Sequence, residues 1–332
     1  MAYEGVRTAK ADHEAELLDR ANVVGVAVGR KMVRGLETDE TCIVVYVDHK
    51  EDEVELSRRD RVPKTLDGVR TDVVETGRFR ALELLETVAV DHTRRMRPAP
   101  GGVSVAHAKV TAGTLGILAH RTSGEAVILS NNHVLANSNE GSPGDAILQP
   151  GSYDGGRPQD VVASLAEFVP IQFKERDLGT LGRFFERTLA PVLAPLGLGL
   201  QRLPSGKTNT VDAAIAVPRS PDLVAPDILE IGRVAGTASA ALGNRVRKSG
   251  RTTGLTQGRI TGLDAVVEVD YGGPSAVFRG QLVSDILSRG GDSGSLIVDE
   301  ANRAIGLLFA GGQTTTILNP IDAVLGALGL RL

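Results

Sequence analysis

A serine set among glycines can act as a nucleophile when the chain turns sharply and leaves the hydroxyl uncrowded. Ser293 lies in such a run, Gly290-Gly291-Asp292-Ser293-Gly294-Ser295. Glycine permits the turn. The same turn can aim the backbone N–H groups of Gly291 and Ser293 into one small space, the arrangement an oxyanion needs. The apolar run Leu296-Ile297-Val298 follows and reads as a buried strand that fixes the turn. A free serine hydroxyl is a weak nucleophile and requires a base within hydrogen-bond reach. His133 is the candidate base. It stands just past the apolar strand Val127-Ile128-Leu129, in the polar turn Ser130-Asn131-Asn132-His133. His13, His49, His92, His107 and His120 have no such strand-then-turn setting. The third group is Asp212, a carboxylate embedded in Val211-Asp212-Ala213-Ala214-Ile215-Ala216. A buried aspartate must be hydrogen-bonded or paired. A histidine N–H suits it, and the pair holds the imidazole in the tautomer that accepts a serine proton. Asp145, Asp154 and Asp160 lie in a glycine-rich region and read as turn formers.

The order His133, Asp212, Ser293 and the motifs around them resemble the trypsin/chymotrypsin-type serine proteases. The histidine motif Ser-Asn-Asn-His-Val is similar to the HtrA-like style. Lys248-Ser249-Gly250-Arg251-Thr252-Thr253-Gly254, continuing to Gly258-Arg259-Ile260-Thr261, resembles the opening of the second barrel in alpha-lytic and streptogrisin-type bacterial proteases. The resemblance covers roughly residues 101–320. Thr111 to Gly116, Gln149-Pro150-Gly151 and the N-terminal region also resemble trypsin-like proteins related to plant NARROW LEAF proteins. The resemblance implies a mainly β protein, a two-barrel chymotrypsin-like domain behind a small α/β N-terminal domain. It implies a serine endopeptidase working through an acyl-enzyme, with protein or peptide substrates and no cofactor. Counting back from Ser293 places Leu287 at the base of the primary specificity pocket, with Ser288 beside it. Phe309, Ala310 and Gly311 fall on the strand that pairs with the substrate backbone. No acid lies at the pocket base, so the resemblance implies a small or medium apolar P1 residue. Asp292, which in zymogen-type relatives receives a new N-terminus, is expected to bond nearby backbone or Arg251.

The chain has 332 residues, a net charge of −4 and no long basic run, which argues against nucleic acid as partner. Glycine is abundant, as suits a β-rich fold with many turns. The histidines and acids lack metal-ligand spacing, so no metal is expected. Met1 to Arg20 is polar, without the apolar core of a secretory signal. No stretch approaches a membrane span. Cys42 is the single cysteine, and where alpha-lytic relatives carry a cysteine pair this chain has Arg247 and Gln257. Both points favour a reducing, cytoplasmic compartment.

These groups need scaffolding, and the pattern supplies it in two parts. Residues 1–95 read as a small α/β unit: a polar helix to residue 20, strands at Val23 to Val28, Thr41 to Val47 and Val69 to Glu75, and helix or strand at Leu82 to Val90. This unit reads as an oligomerisation module, favouring a homo-oligomer, or as a gate. Arg94 to Gly102, with two prolines, reads as a linker. Residues 96–332 then alternate short strands with glycine-rich turns, at Val110-Thr111, Thr114 to Ala119, Ala126 to Leu129 and Ala146 to Gln149. A second barrel begins near Pro221, with strands at Asn244 to Gly250, Gly258 to Leu263, Val266 to Tyr271, Ser295 to Val298 and Ala304 to Ala310. The insert at 173–207, between the histidine and aspartate motifs, reads as a barrel cap, a lid or a subunit contact. Two alternatives to a constitutive protease remain: an inactive trypsin-like binding scaffold, and a self-processing, ligand-gated or partner-triggered protease whose N-terminal domain or insert blocks the cleft.

Overall fold

The computed structural model describes residues 3–52, 54–81, 91–174 and 208–332. The helix or strand expected at Leu82 to Val90, and the insert from residue 175 onward, lie outside them.

The fold is mainly β, as expected, and rests on two large antiparallel-rich sheets. The first runs Leu330–Arg331, Ile117–Arg121, Ala126–Ser130, Ala214–Pro218, Val161–Phe168, Ala146–Leu148, Ser104–His107, Gly113–Thr114 in spatial order. Its inner face buries Val105, Leu115, Ile128, Leu135, Ile147, Val162 and Ala214. Apolar side chains alternate with outward ones along each strand, so a second face packs Ile117, Val127, Leu129 and Ile215 against the C-terminal helix Ile321–Leu328. That helix was not foreseen, although Ile321, Val324 and Leu328 repeat at its period.

The second sheet contains Arg245–Gly250, Leu296–Asp299, Ala304–Gly311, Thr316–Pro320, Ser275–Ser284 and Gly254–Asp270. The two strands expected at Gly258 to Leu263 and Val266 to Tyr271 are one strand of 17 residues. Asp264, at φ +50°, marks an irregularity inside it rather than a turn. No strand forms at Val110-Thr111; after Ser104–His107 the chain next pairs at Gly113–Thr114. Arg247 and Gln257, which replace the relatives' cysteine pair, are cross-strand partners.

The N-terminal residues continue this second sheet. Val23–Val33 pairs antiparallel with Gly254–Asp270, and Leu36–Val47 and Val69–Glu75 follow outward. Both faces are buried at Gly25 to Gly29 and Cys42 to Val47, which explains the unbroken apolar runs there. Ile43, Val45 and Val47 face helix Tyr3–Leu18, while Cys42, Val44 and Tyr46 face Phe79, Phe278 and Phe309. Arg94 to Gly102 is not a solvated linker. Ala99–Gly101 pairs parallel with Val224–Ile228, and Arg97 donates to the backbone carbonyls of Gln149 and Asp160.

Candidate active site

The strand Ala126–Ser130 ends where its last hydroxyl, Ser130 Oγ, donates to Thr114 O at 2.7 Å. The chain then turns into the one-turn helix Asn132–Leu135, which carries His133. Asp212 stands just ahead of the strand Ala214–Pro218, next to Ala126–Ser130 in the sheet. The pairing of these two strands brings their ends together. His133 Nδ1 bonds Asp212 Oδ2 at 2.6 Å, and the backbone N–H of His133 donates to Oδ1 at 3.3 Å. Asp212 is wholly buried. Its backbone is clamped by two buried asparagines: Asn131 Nδ2 donates to Asp212 O at 2.7 Å, and Asp212 N–H donates to Asn319 Oδ1 at 3.1 Å.

Ser293 enters from the other sheet, on the turn before Leu296–Asp299. Gly291 and Gly294 hold φ of +93° and +95°, values that favour glycine. At Gly294 a side chain would also collide with Ser130 Oγ and Thr114 O, so the turn packs directly against the first sheet here. Thr114 binds the turn on two sides. Its N–H donates to Ser293 O at 2.8 Å and its hydroxyl donates to Gly291 O at 2.8 Å. Among the described residues, the N–H groups of Gly291 and Ser293 donate to no protein acceptor.

His133 and Ser293 line one cleft with Lys109, Thr111, Val134 and Tyr271. His133 Nε2 is buried and, among the described residues, bonds no protein atom. Ser293 Oγ donates instead to Phe309 O, at 3.4 Å. A larger hollow lined by Arg245, Arg247, Arg259, Asp285 and Glu300 lies elsewhere and has no comparable nucleophile and base.

Asp292 bonds backbone, as expected, but not Arg251. Its Oδ1 accepts from Thr252 N and Thr253 N at 2.9 and 3.1 Å, and its Oδ2 accepts from Thr253 Oγ1 and Arg289 N at 2.7 and 2.9 Å. Its charge is met by Lys248 Nζ at 3.4 Å, both side chains being fully buried. Burial pushes the Lys248 ammonium pKa down, and Asp292 opposes that shift. Arg251 pairs with Asp154, which is therefore an ion-pair partner rather than a simple turn former. Asp145 meets His107 at 2.9 Å, and Asp160 meets Arg95 at 3.0 Å.

Leu287, placed by the count at a pocket base, exposes 54% of its surface, and its carbonyl accepts the Thr256 hydroxyl. Ser288 is the inward residue, its hydroxyl 2.7 Å from that of Thr316. Phe309, Ala310 and Gly311 are buried on the strand Ala304–Gly311.

Tyr271 was missed. It follows the strand Gly254–Asp270 in the second sheet, yet its hydroxyl donates to Asp212 Oδ2 at 2.9 Å. Its ring stands edge-on to His133, with centroids 5.9 Å apart. Burial, then the Asp212 charge, pushes its pKa well above the ordinary tyrosine value, so it remains a donor. Nothing in the sequence around Tyr271 points to this contact. Asn131 and Asn319 likewise act through tertiary contact.

Parts of the chain are similar to known proteins. Over 78 residues the chain is 38% identical to Serine protease 2 of Streptomyces fradiae, covering 24% of this chain and 42% of that protein. Over 96 residues it is 33% identical to Streptogrisin-A of Streptomyces griseus, covering 27% of this chain and 31% of that protein. The resemblance to trypsin/chymotrypsin-like serine proteases is thereby supported. The chain spans less than half the length of these two relatives. No protein-family model matches it. Among solved structures, a chymotrypsin from Cellulomonas bogoriensis is similar over 70% of this chain and 96% of its own, at 19% identity and a TM-score of 0.42. Among the described residues no helix is long and apolar enough to cross a membrane.

Proposed function

We propose that this protein is a serine endopeptidase with His133, Asp212 and Ser293 as its triad. The observation that carries the reading is the buried Asp212 on His133 Nδ1, with His133 and Ser293 lining one cleft. In the reaction, Ser293 Oγ attacks the scissile carbonyl carbon as its proton passes to His133 Nε2. Asp212 holds the ring and stabilises the imidazolium. The N–H groups of Gly291 and Ser293 receive the oxyanion. The intermediate collapses as His133 returns the proton to the leaving amine, leaving an acyl-serine. Water then attacks the acyl carbon, giving up its proton to His133, which passes it to Ser293 Oγ as the acyl–oxygen bond breaks and the acid is released. Substrates are proteins or peptides with an apolar P1 residue, access to the site is regulated, and the protein works in the cytoplasm, as a homo-oligomer.

Labelling with a fluorophosphonate tests the reading. The parent protein labels, and Ser293→Ala abolishes labelling while leaving the melting temperature in place. Retained labelling in that variant removes Ser293 from the nucleophile role. A second reading, an inactive binding scaffold, is favoured by the turn of Ser293 Oγ toward Phe309 O. A folded parent protein that does not label would favour it.

A further inference from the structure

The strand Phe79–Arg80 lies on the edge that a peptidase of this kind offers to its substrate. Arg80 pairs antiparallel with Gly311, the end of the strand Ala304–Gly311. On its other side the segment pairs parallel with Val269 and Asp270. Ala81 N–H donates to Asp270 O at 2.9 Å. Peptide groups alternate sides along a strand, so the N–H and C=O of Arg80 face Gly311. The seat is built for this chain. Gln313 N–H donates to Thr76 O at 2.9 Å, and a side chain at Gly312 would collide with that same carbonyl. Phe79 is 1% exposed and packs edge-on against Tyr46 at 5.9 Å. Beyond it, Ala81 reaches the cleft that His133 and Ser293 line.

We propose that residues 78–81 are bound in the molecule's own substrate groove as an extended, substrate-like strand. This rests on the peptidase reading above. The added-strand mode is one that peptides commonly use at sheet edges. A tethered occupant competes at an effective concentration in the millimolar range. A substrate long enough to pair with Gly311 must therefore displace Arg80. A substrate filling only the P1 position need not.

Arg80→Pro tests this, because proline removes the N–H that faces Gly311 and leaves Phe79 in its seat. Two Ser293-dependent substrates with the same P1 residue are compared, a single-residue ester and a tetrapeptide amide. Arg80→Pro raises kcat/KM on the tetrapeptide by about tenfold, the weight of one strand hydrogen bond. The ester changes by less than about twofold on the same scale. A synthetic peptide of residues 76–81 then inhibits the variant more strongly than the parent. An unchanged tetrapeptide rate, or an equal gain on both substrates, overturns the proposal. Should Arg80→Pro not fold, Ala81→Pro, which removes the bond to Asp270, is read the same way. Failure of the peptidase reading looks different: neither protein hydrolyses the ester or labels with fluorophosphonate, and the proposal falls with it.

Discussion

Tyr271 donates its hydroxyl to Asp212 Oδ2 at 2.9 Å, so a side chain of one sheet buttresses the carboxylate of the other. The same oxygen receives His133 Nδ1 at 2.6 Å. Tyr271 and the imidazole therefore share one acceptor, and the tyrosine tempers the pull of Asp212 on an imidazolium. Tyr271→Phe removes that donor and keeps the ring against His133. The unshared carboxylate then stabilises the imidazolium more strongly. The base must be neutral to act, so the acid limb of the kcat/KM profile moves to higher pH. A pH–rate profile checks this. A limb that stays in place means Tyr271 contributes packing alone.

Asp212→Asn changes tautomer preference rather than shape. An asparagine amide can donate to Nδ1 and leave the proton on Nε2, where it blocks proton transfer from Ser293. The loss in kcat for such a change is about 10⁴-fold. Asn131 and Asn319 hold the backbone of Asp212, not its carboxylate, so the fold and melting temperature remain. A loss of only a few-fold would pass the orienting role to another group.

Lys248 and Asp292 form an ion pair with both side chains fully buried. Lys248→Met leaves Asp292 charged and without its counter-ion. Breaking a buried pair from one side costs about 3–5 kcal/mol. The loss sits toward the low end, because four other donors still serve Asp292. Denaturant unfolding measures it. Adding Asp292→Asn to Lys248→Met recovers part of the stability. Activity falls in the double variant, because Asp292 sets the turn that carries the N–H groups of Gly291 and Ser293.

The triad candidates were legible because each is signalled by its own neighbours: glycines around Ser293, a strand end before His133, an apolar run around Asp212. Tyr271, Asn319 and Lys248 act across 59, 107 and 44 positions of sequence, and no local pattern records such a contact. The strands of the first 80 residues were legible, but not their partner. Period-2 patterning specifies a face, whereas pairing of Val23–Val33 with Gly254–Asp270 is settled by which edge is free. Of the two residues the count names, Leu287 is exposed and Ser288 turns toward Thr316, because adjacent extended residues point to opposite sides.

That last point bears on specificity. Ser288, not Leu287, faces inward beside Thr316, and Phe309, Ala310 and Gly311 form the neighbouring strand. No carboxylate is among these residues. A peptide-library profile therefore peaks at small or medium apolar P1 residues, with Lys and Arg near the bottom. Ser288→Asp places an acid at the inward position and raises the relative rate at Lys and Arg. A parent profile led by Lys or Arg would mean that a more distant acid reaches the pocket.

Cys42 gives an alkaline prediction. It is fully buried between Val44 and the second-sheet core, and burial pushes its thiol pKa up to about 12. An unfolded thiol titrates near about 8.5. Above that pH the unfolded chain loses a proton that the folded chain keeps, so stability is fully present below the unfolded value and falls as pH rises toward the folded one. Tyr46 and Tyr271, both raised by burial, act in the same direction from about pH 10 upward. Melting temperature should therefore decline steadily between about pH 8.5 and 11. Cys42→Ala lowers stability at neutral pH through lost packing, but it flattens the part of the decline that begins near pH 8.5. An unaltered slope in that variant would show that the thiol ionises in the folded protein as easily as in the unfolded chain.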